Sequence, residues 1–493
     1  MFQKSFHITT ITIYRNYSSN FNYKKKVPKD PSKAIWCSKR LLVAIAVFMC
    51  FANCTMLINV TNIAVVEMTS NKTITMGDET FIRPAEFEWD TVTLGTVSNV
   101  LWYGGLFALF GGYFVDKFGG SVSCSMSLLI AGFLTIFHPA ILYLDFNAFL
   151  VCRFVTGFFL NVFSISTAEL YSRWFPRKER STLISIGYNG VNAGIALAFP
   201  LFGFIANKWG WQMVFYVSGV ISLIISILCL TVVKNRPSQD TWISKTELAY
   251  ILEETGHEFR EERSHPYKRI LLSTPVLAMC VGKFTLMWIN TILSASLPLY
   301  IKDLTNKSTD EVGIISSLPT VAQIFAFPLA GIFLDGWRNR KGIDLTRMHK
   351  ITICIAFLSS SILFVVAVFI NDFTISMILF VVIQIIMSTG PAVLEPIIVN
   401  ISPNDTSVIA ALGKFSFSMG SIVSRTCIGF MTINHSSQEW NNCFLLTSAV
   451  LILSTVIFLR FASSETQPWS SSTNFDQERT RLIKINYRRR TSS

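Results

Sequence analysis

The sequence predicts an all-α, polytopic membrane protein with twelve transmembrane helices. Of its 493 residues, 51% are hydrophobic and only 15% are charged, and the mean hydropathy is +0.47. Soluble domains carry about 25% charged residues. The apolar residues are gathered into runs long enough to cross a bilayer, which takes roughly 20 helical residues. This pattern indicates a bundle of membrane-spanning helices.

The predicted spans follow the apolar runs in order along the chain. They cover residues 41–66, 92–114, 122–142, 147–170, 181–206, 212–233, 275–300, 312–334, 350–370, 373–399, 407–432 and 440–462. The first run is longer than the roughly 7–15 apolar residues of a signal peptide core, so we expect it to remain as a span.

Polar stretches divide the chain into five regions. We predict a basic cytoplasmic tail, a half of six helices, a cytoplasmic linker, a second half of six helices and a second cytoplasmic tail. These regions are residues 1–40, 41–233, 234–274, 275–462 and 463–493.

The two halves repeat a short pattern. Span 2 ends with Gly112 and Asp116, and span 8, its counterpart in the second half, ends with Gly331 and Asp335. Parallel repeats of six spans are related by an axis along the membrane normal and hold the binding site between them near the midplane. We therefore predict two pseudo-symmetric halves.

Lysine and arginine near the span ends predict the orientation, because these residues stay on the cytoplasmic side. With the N-terminus inside, the inner connections carry most of the basic residues. These are Lys117, the group Arg173, Arg177, Lys178 and Arg180, the stretch Lys234 to Arg269, and the stretch Arg338 to Lys350. Glycosylation sequons at Asn71, Asn306 and Asn434 fall in outer loops, and the sequon at Asn404 falls inside.

Several classes of function lack support in the sequence. The net charge of +12 comes from the tails and alternate loops, which is a topology signal and does not indicate nucleic-acid binding. The ten cysteines include no CxxC spacing and no Cys/His cluster, so we expect no metal and no cofactor. With no nucleophile and base in a catalytic motif and no phosphate-binding loop, we do not expect an enzyme.

Arg153 lies about two turns inside predicted span 4. An arginine in a span costs a few kcal/mol unless it faces protein or water, so it is a functional candidate. The alternative is an arginine whose long side chain reaches a nearby headgroup. Both interpretations stay open at this point.

The sequence around Arg153 carries a family resemblance. The run Trp174-Phe175-Pro176, Glu179-Arg180-Ser181 and the glycines 187, 190 and 194 resemble span 4, the following loop and span 5 of the anion:cation symporters, which belong to the major facilitator transporters. Similar residues of that family match Phe87 to Asp90, Gly111 to Tyr113, Gly210 to Tyr216 and Ser464 to Trp469. The resemblance covers about residues 40 to 470 and implies the major facilitator fold.

The resemblance also implies functional residues, position by position. Members of that family carry an arginine in span 1, a histidine in span 2, an arginine and a glutamate in span 4 and an arginine in span 7. Here Arg153 matches, whereas the other positions hold Ile58, Ser98, Leu160 and Leu286. The groups best suited to carry a coupling proton are thus missing, and proton symport does not follow from the resemblance.

The predicted substrate site consists of Arg153 as the anchor, with Lys283, Tyr103, Tyr188 and Asn192. Lys283 is one turn before Leu286 on the same helix face, so it is a replacement for the missing span 7 cation or an interfacial lysine. The alternative for the two tyrosines and the asparagine is ordinary helix packing. For Lys414 and Arg425 the alternatives are a structural pair with Glu395, a position near an aqueous end, and a place in the cavity.

Two further groups of residues are predicted to act outside the substrate site. Gly112, Asp116, Asp335, Glu179 and Arg180 are expected to form a gating motif, although Ser121 stands where the family keeps a basic residue. In the cytoplasmic tail, Glu478 followed by Leu482 and Ile483 resembles a sorting signal for endosomal or lysosomal membranes; the alternative is a basic tail on anionic lipid.

Excess positive charge in a low-dielectric cavity favours an anionic substrate. We therefore predict a membrane transporter of organic or inorganic anions that works by alternating access. Its partners are a small anion, the lipid bilayer and a coupling ion, sodium or proton, with membrane potential as another driving force. It would reside in the plasma membrane or an endosomal, lysosomal or vesicular membrane. The alternative is a transporter-like receptor or scaffold that binds an anion without moving it.

We predict that both termini are cytoplasmic and that Asn71 is glycosylated. Asn71→Gln should remove a glycan-dependent mobility shift on a denaturing gel, and Asn404→Gln should change nothing, because glycans are added only to outer loops. Sugar on Asn404, or an N-terminal tag that antibody reaches from outside intact cells, would overturn the topology.

Overall fold

A computed structural model describes residues 38–69, 72–76, 79–83, 85–255, 265–305, 309–370, 372–434 and 436–470. The predicted sites Asn71, Asn306, Glu478, Leu482 and Ile483 lie outside these residues. Asn434 lies inside them, is exposed and donates a hydrogen bond from its side-chain amide to Glu439 (2.8 Å).

The described chain is built almost entirely of α-helices. They are α1 (Lys39–Thr69), α2 (Thr91–Gly104), α3 (Ala108–Phe118), α4 (Gly120–Leu144), α5 (Phe146–Trp174), α6 (Arg180–Tyr188), α7 (Gly190–Trp209), α8 (Trp211–Val232), α9 (Lys245–Thr255), α10 (Tyr267–Leu271), α11 (Thr274–Asn290), α12 (Leu297–Leu304), α13 (Thr309–Lys341), α14 (Leu345–Phe369), α15 (Phe373–Met387), α16 (Thr389–Ile401), α17 (Thr406–Met431) and α18 (Ser437–Phe461). A short antiparallel hairpin, β1 (Lys72–Met76) and β2 (Glu79–Arg83), follows α1.

Within the described residues, twelve helical segments are long and apolar enough to cross a membrane. Spans 1, 3, 4, 6, 8, 9, 11 and 12 are single helices: α1, α4, α5, α8, α13, α14, α17 and α18. Spans 2, 5, 7 and 10 are each interrupted and consist of α2 with α3, α6 with α7, α11 with α12 and α15 with α16. The predicted all-α membrane fold with twelve spans is confirmed. The hairpin adds two strands in the first outer loop, which the sequence analysis did not predict.

Polar side chains fix where several spans begin. Asp145 accepts a hydrogen bond from the backbone amide of Ala148 (2.7 Å) at the start of α5, and Asp372 accepts one from Ile375 (3.0 Å) at the start of α15. Ser436 and Glu439 form a capping box at the start of α18. Such caps satisfy amides that have no partner inside the helix. They fix the short turns that connect one span to the next.

The linker between the halves is held against the first half by charge. Arg40, at the start of span 1, pairs with Glu247 of α9 (3.3 Å) and with Glu179 (3.1 Å). Lys39 pairs with Asp240 (3.0 Å). The face where these contacts lie is called the inner face below; loop charge predicts that it is cytoplasmic. The residue boundaries of the five regions stay predictions.

Spans 1 and 5 pack with their backbones in close approach. A Cβ atom on Gly190 would lie 2.1 Å from the carbonyl oxygen of Phe48, and one on Gly194 would lie 2.4 Å from that of Ala52. Both distances are far below van der Waals contact. Small residues at such positions let membrane helices associate through direct packing. Span 5 therefore depends on its glycines to remain beside span 1.

We expect Gly190→Ala to destabilise the protein by about 1–3 kcal/mol, because the added methyl group must push two helices apart. Gly203→Ala on the same helix is the matched control, since no atom lies within 4 Å of its Cβ position. Thermal unfolding of detergent-purified protein measures both. Equal melting temperatures for the two variants would show that the close approach is not needed.

Candidate functional site

A cavity of about 480 Å³ lies between the two halves. Spans 1, 2, 4 and 5 line it from the first half, and spans 7, 8, 10 and 11 line it from the second. The lining extends to Val65, Phe199, Pro298 and Arg425, which lie toward the outer ends of their helices. The cavity therefore opens toward the outer face.

Helix interruptions surround this cavity. Span 7 passes from α11 into a π-helical turn, Thr291–Ala295, and restarts at α12 with Pro298 near its first position. Span 10 breaks at Ser388, and its second helix begins next to Gly390 and Pro391. Proline lacks an amide hydrogen and cannot continue the ladder of the preceding helix. Irregular backbone inside a membrane is tolerated where it lines a cavity.

The charged groups that line the cavity are three cations and one carboxylate. Among the described residues, Lys283, Lys414 and Arg425 provide the cations and Glu395 provides the carboxylate, so the formal charge of the lining is 3 − 1 = +2. Opposite charges attract more strongly as the effective dielectric falls. The lining therefore favours an anion over a neutral or cationic solute.

Glu395 is paired with Lys283, whose ammonium group donates a hydrogen bond to it. Lys414 lies 4.4 Å from the ring centroid of Phe417, a cation–π contact, and it is within electrostatic reach of Lys283 and Glu395. Three charged groups from spans 7, 10 and 11 thus form one cluster, defined here as the lysine cluster: Lys283, Glu395 and Lys414. The sequence analysis considered Glu395 as a partner of Lys414 or Arg425. The structure pairs Glu395 with Lys283 and leaves Lys414 without a salt bridge among the described residues.

Arg425 extends the positive charge of the lysine cluster toward the outer opening. Its Nε is buried and has no hydrogen-bond partner within the described residues. An arginine keeps its charge in a protein, so an unsatisfied guanidinium N–H favours binding of an acceptor. Arg425 is thus suited to meet an anion that enters from the outer face.

Arg153 lies elsewhere. It is 1% exposed and is not among the cavity-lining residues. Its Nε donates a hydrogen bond to the carbonyl oxygen of Val97 (3.1 Å), and its Nη1 donates one to Thr61. Neutral acceptors from spans 1 and 2 thus take two of the guanidinium N–H groups. The sequence analysis predicted Arg153 as the substrate anchor, whereas the geometry gives it a role in joining spans 1, 2 and 4.

Of the other predicted site residues, some line the cavity and others do not. Tyr188 and Asn192 line the cavity, and Tyr188 stacks on Phe327 of span 8 with 5.7 Å between ring centroids. Tyr103 is 40% exposed and lies outside the lining. Of the positions where the resembling family carries charge, Ile58, Ser98 and Leu286 line the cavity here, whereas Arg153 and Leu160 do not. The sequence analysis left open whether Lys414 and Arg425 lie in the cavity, because no spacing signal separates a cavity lysine from a paired one; the structure places both in the lining.

Contacts between the halves close the inner face. Asp335 at the end of span 8 accepts hydrogen bonds from the backbone amides of Ser181 (3.3 Å) and Thr182 (2.6 Å), in the first turn of α6. Asp116 at the end of span 2 accepts one from the hydroxyl of Ser407, in the first turn of α17. Carboxylates are favourable near helix N-termini. The two contacts are pseudo-symmetric, since spans 2 and 8, and spans 5 and 11, are counterparts in the two halves.

Further contacts join the halves at the same face. Arg180 donates hydrogen bonds to the side-chain oxygen of Asn400 and to the carbonyl oxygen of Phe175. Glu179 pairs with Arg40 rather than with the opposite half. At Gly112, an added Cβ would lie 3.3 Å from the carbonyl oxygen of Ser407, so this glycine lets span 2 approach span 11.

The linker supplies another closing contact, through His265. Its Nε2 lies 2.8 Å from Oδ2 of Asp116, and its Nδ1 lies 2.7 Å from Oδ1 of Asp405. Asp116 belongs to the first half and Asp405 to the second, so one imidazole bridges both. Hydrogen bonds to Asp116 and then to Asp405 raise the pKa of His265 to about 9 against the opposing effect of burial. The imidazolium form therefore stabilises the closed inner face.

Comparison with known proteins agrees with this architecture. The chain matches the Major Facilitator Superfamily profile over residues 43–341 and 279–491. Vesicular glutamate transporter 3 of Danio rerio is 26% identical over 429 residues, which are 85% of this chain and 72% of that protein. Vesicular glutamate transporter 2 of Homo sapiens is 26% identical over 429 residues, which are 85% and 73% of the two chains.

Solved structures share the fold at lower sequence identity. The proton:xylose symporter XylE superposes with a TM-score of 0.64 at 15% identity, covering 88% of this chain and 98% of that one. The fucose:proton symporter FucP of E. coli superposes with a TM-score of 0.58 at 11% identity, covering 86% of this chain and 99% of that one.

We expect the bridge at His265 to weaken in alkaline solution. Closure raises the pKa of His265 from 6.5 to about 9, so its contribution is fully present below pH 6.5 and is lost as the pH rises through about 9. A cysteine introduced at Ala411, which packs beside Gly112, reports opening when a thiol reagent is applied from the inner side.

Labelling of this cysteine, normalised to unfolded protein, should be slow at neutral pH and should rise above pH 9. His265→Ala should label at both pH values, whereas Tyr267→Phe, which keeps both ion pairs, should behave like the parent. Slow neutral-pH labelling of the His265→Ala protein would refute the bridge.

Proposed function

Since the chain belongs to the Major Facilitator Superfamily, we propose that it carries small organic anions across a membrane by alternating access. The observation that carries this proposal is the midplane cavity with a formal lining charge of +2. Relatives named as vesicular glutamate transporters favour a carboxylate-bearing substrate. The protein is a multi-pass integral membrane protein, and the relatives named as vesicular transporters favour a vesicular membrane.

The proposed anchor is the lysine cluster. Lys414 has no carboxylate partner among the described residues, and its neighbour Lys283 shares its positive charge with Glu395. Desolvating a cation costs free energy unless a counter-charge is supplied. A bound carboxylate supplies that counter-charge to Lys414. Tyr188 and Asn192 line the same cavity, and their hydroxyl and amide groups orient the substrate.

Alternating access follows from where the closing contacts lie. The inner face is closed by Asp335, Asp116 and His265, and the cavity opens toward the outer face. Breaking these contacts while the outer ends of the spans approach one another would expose the same cavity to the inner side. The substrate site stays near the midplane while access changes.

Glu395 is the proposed site of the coupling cation. It is the one carboxylate among the described lining residues, so a proton or sodium ion has no other acidic group there to bind. An anion that draws Lys283 away from Glu395 would leave that carboxylate free for the cation. Coupling would thus use a group on span 10 in place of the missing groups on spans 2 and 4.

Uptake of labelled L-glutamate into proteoliposomes tests the function. The purified protein should accumulate label when a proton gradient, a sodium gradient or a membrane potential is imposed, and unlabelled L-glutamate should compete. Binding without uptake under any of these gradients would favour an anion receptor or scaffold instead.

We expect Lys414→Ala to weaken substrate binding by about 1.5–3 kcal/mol, since it removes one charge-assisted hydrogen bond, with a corresponding rise in KM. Lys302→Ala is the matched control, because Lys302 is an exposed cation at the outer end of span 7 that does not line the cavity. Arg153→Ala and Arg153→Lys separate the two candidate anchors. If KM changed greatly in the correctly folded Arg153 variants and did not change in Lys414→Ala, Arg153 and not Lys414 would be the substrate anchor.

A further inference from the structure

A second concave site lies at the inner end of span 7, and none of its residues lines the central cavity. It has a volume of about 440 Å³. Its polar lining is Lys268, Arg269, Ser273, Thr274, Gln467 and Trp469. Helix α10, the start of α11 and the segment after span 12 thus meet there. Because span 7 begins at Thr274, this site lies at the boundary between the membrane and the inner aqueous phase.

Two adjacent cations project from α10 at this site. Lys268 and Arg269 are both exposed, and neither forms an ion pair or side-chain hydrogen bond with any described residue. The lining includes no carboxylate. A pair of cations without a counter-charge in a concave surface favours an anion with several acceptor oxygens.

The start of α11 adds hydrogen-bond donors. Ser273 is the N-cap residue of this helix, yet its hydroxyl makes no capping hydrogen bond. The side chain is 8% exposed, and within the described residues its Oγ has no hydrogen-bond partner. Buried hydroxyl groups normally have one. The first amides of a helix also lack intrahelical partners and favour negative charge. The hydroxyl and the helix end thus both lack the acceptor that an anion provides.

The surroundings of the site are apolar on the membrane side. Leu271, Leu272 and Leu277 are 50%, 69% and 51% exposed. Leucines this exposed beside and within the first turn of span 7 are available for contact with lipid acyl chains. Trp469, an aromatic residue of the type enriched at membrane interfaces, lines the site itself. A ligand with a phosphate group beside hydrocarbon chains fits both parts of this surface.

We infer that this site binds the headgroup of an anionic phospholipid of the inner leaflet. The phosphate oxygens accept hydrogen bonds from Lys268, Arg269 and the hydroxyl of Ser273, and the acyl chains lie along the exposed leucines. Basic pockets at the inner ends of membrane helices are suited to such headgroups. Because α10 begins two residues after His265, the bound lipid would also hold the linker in place beside the closing contact.

Native mass spectrometry of the full-length protein in detergent tests the inference. The probes are palmitoyl-oleoyl phosphatidylserine, phosphatidylcholine with the same chains, and inorganic phosphate. The parent protein should bind phosphatidylserine more tightly than phosphatidylcholine, and inorganic phosphate at equal concentration should displace little of it. Displacement of the lipid by equimolar phosphate would assign the site to a free anion and overturn the lipid proposal.

The variants locate the site. Lys268→Ala with Arg269→Ala should weaken phosphatidylserine binding about tenfold or more, and Ser273→Ala should weaken it roughly threefold, because each removes donors to the phosphate. Lys245→Ala with Arg347→Ala removes the same charge from exposed inner-face positions outside the site and should leave binding unchanged. Thermal unfolding checks that each variant is folded. Equal affinity for the parent and the Lys268/Arg269 double variant, or equal loss in the control, would refute the site.

Discussion

The excess of positive charge in a cavity between the two halves is the constraint on which the rest of this structure depends. Lys283 and Glu395 neutralise each other, but Lys414 and Arg425 have no carboxylate partner among the described residues. Charges taken from water cost several kcal/mol each unless they are compensated. The cavity is therefore built to be completed by an anion. Its opening toward the outer face gives such an anion a path to the cations.

Closure of the inner face follows from the internal repeat. Asp116 and Asp335 occupy equivalent positions in the two halves, and each reaches the first turn of a helix in the opposite half. The repeated pattern therefore gives two equivalent contacts, and both must break when the halves rock. His265 adds an ionic bridge between Asp116 and Asp405 that has no counterpart in the repeat. The linker is thus part of the closing mechanism and is more than a connection.

The twelve spans and the repeat could be predicted from the sequence. Each depends on composition or on spacing along one helix. The position of Arg153 could not be predicted, because its partners are a hydroxyl on span 1 and a backbone carbonyl on span 2, far away in sequence. Whether Lys414 lines the cavity or has a structural role could not be predicted for a similar reason. Which face of span 11 meets the cavity depends on how eight spans pack. A membrane helix is apolar on most of its faces, so its sequence pattern gives little information on which face points to the cavity.

Calorimetric titration with L-glutamate and with L-glutamine tests most directly whether the cavity is selective for negative charge. The two ligands are similar in size and differ in the charge of the side chain. The charge-compensation account predicts that the purified protein binds L-glutamate at least about tenfold more tightly than L-glutamine, which corresponds to one charge-assisted hydrogen bond, and that Lys414→Ala removes this preference. Equal affinity for both ligands, or a preference that survives in the folded Lys414→Ala protein, would contradict it.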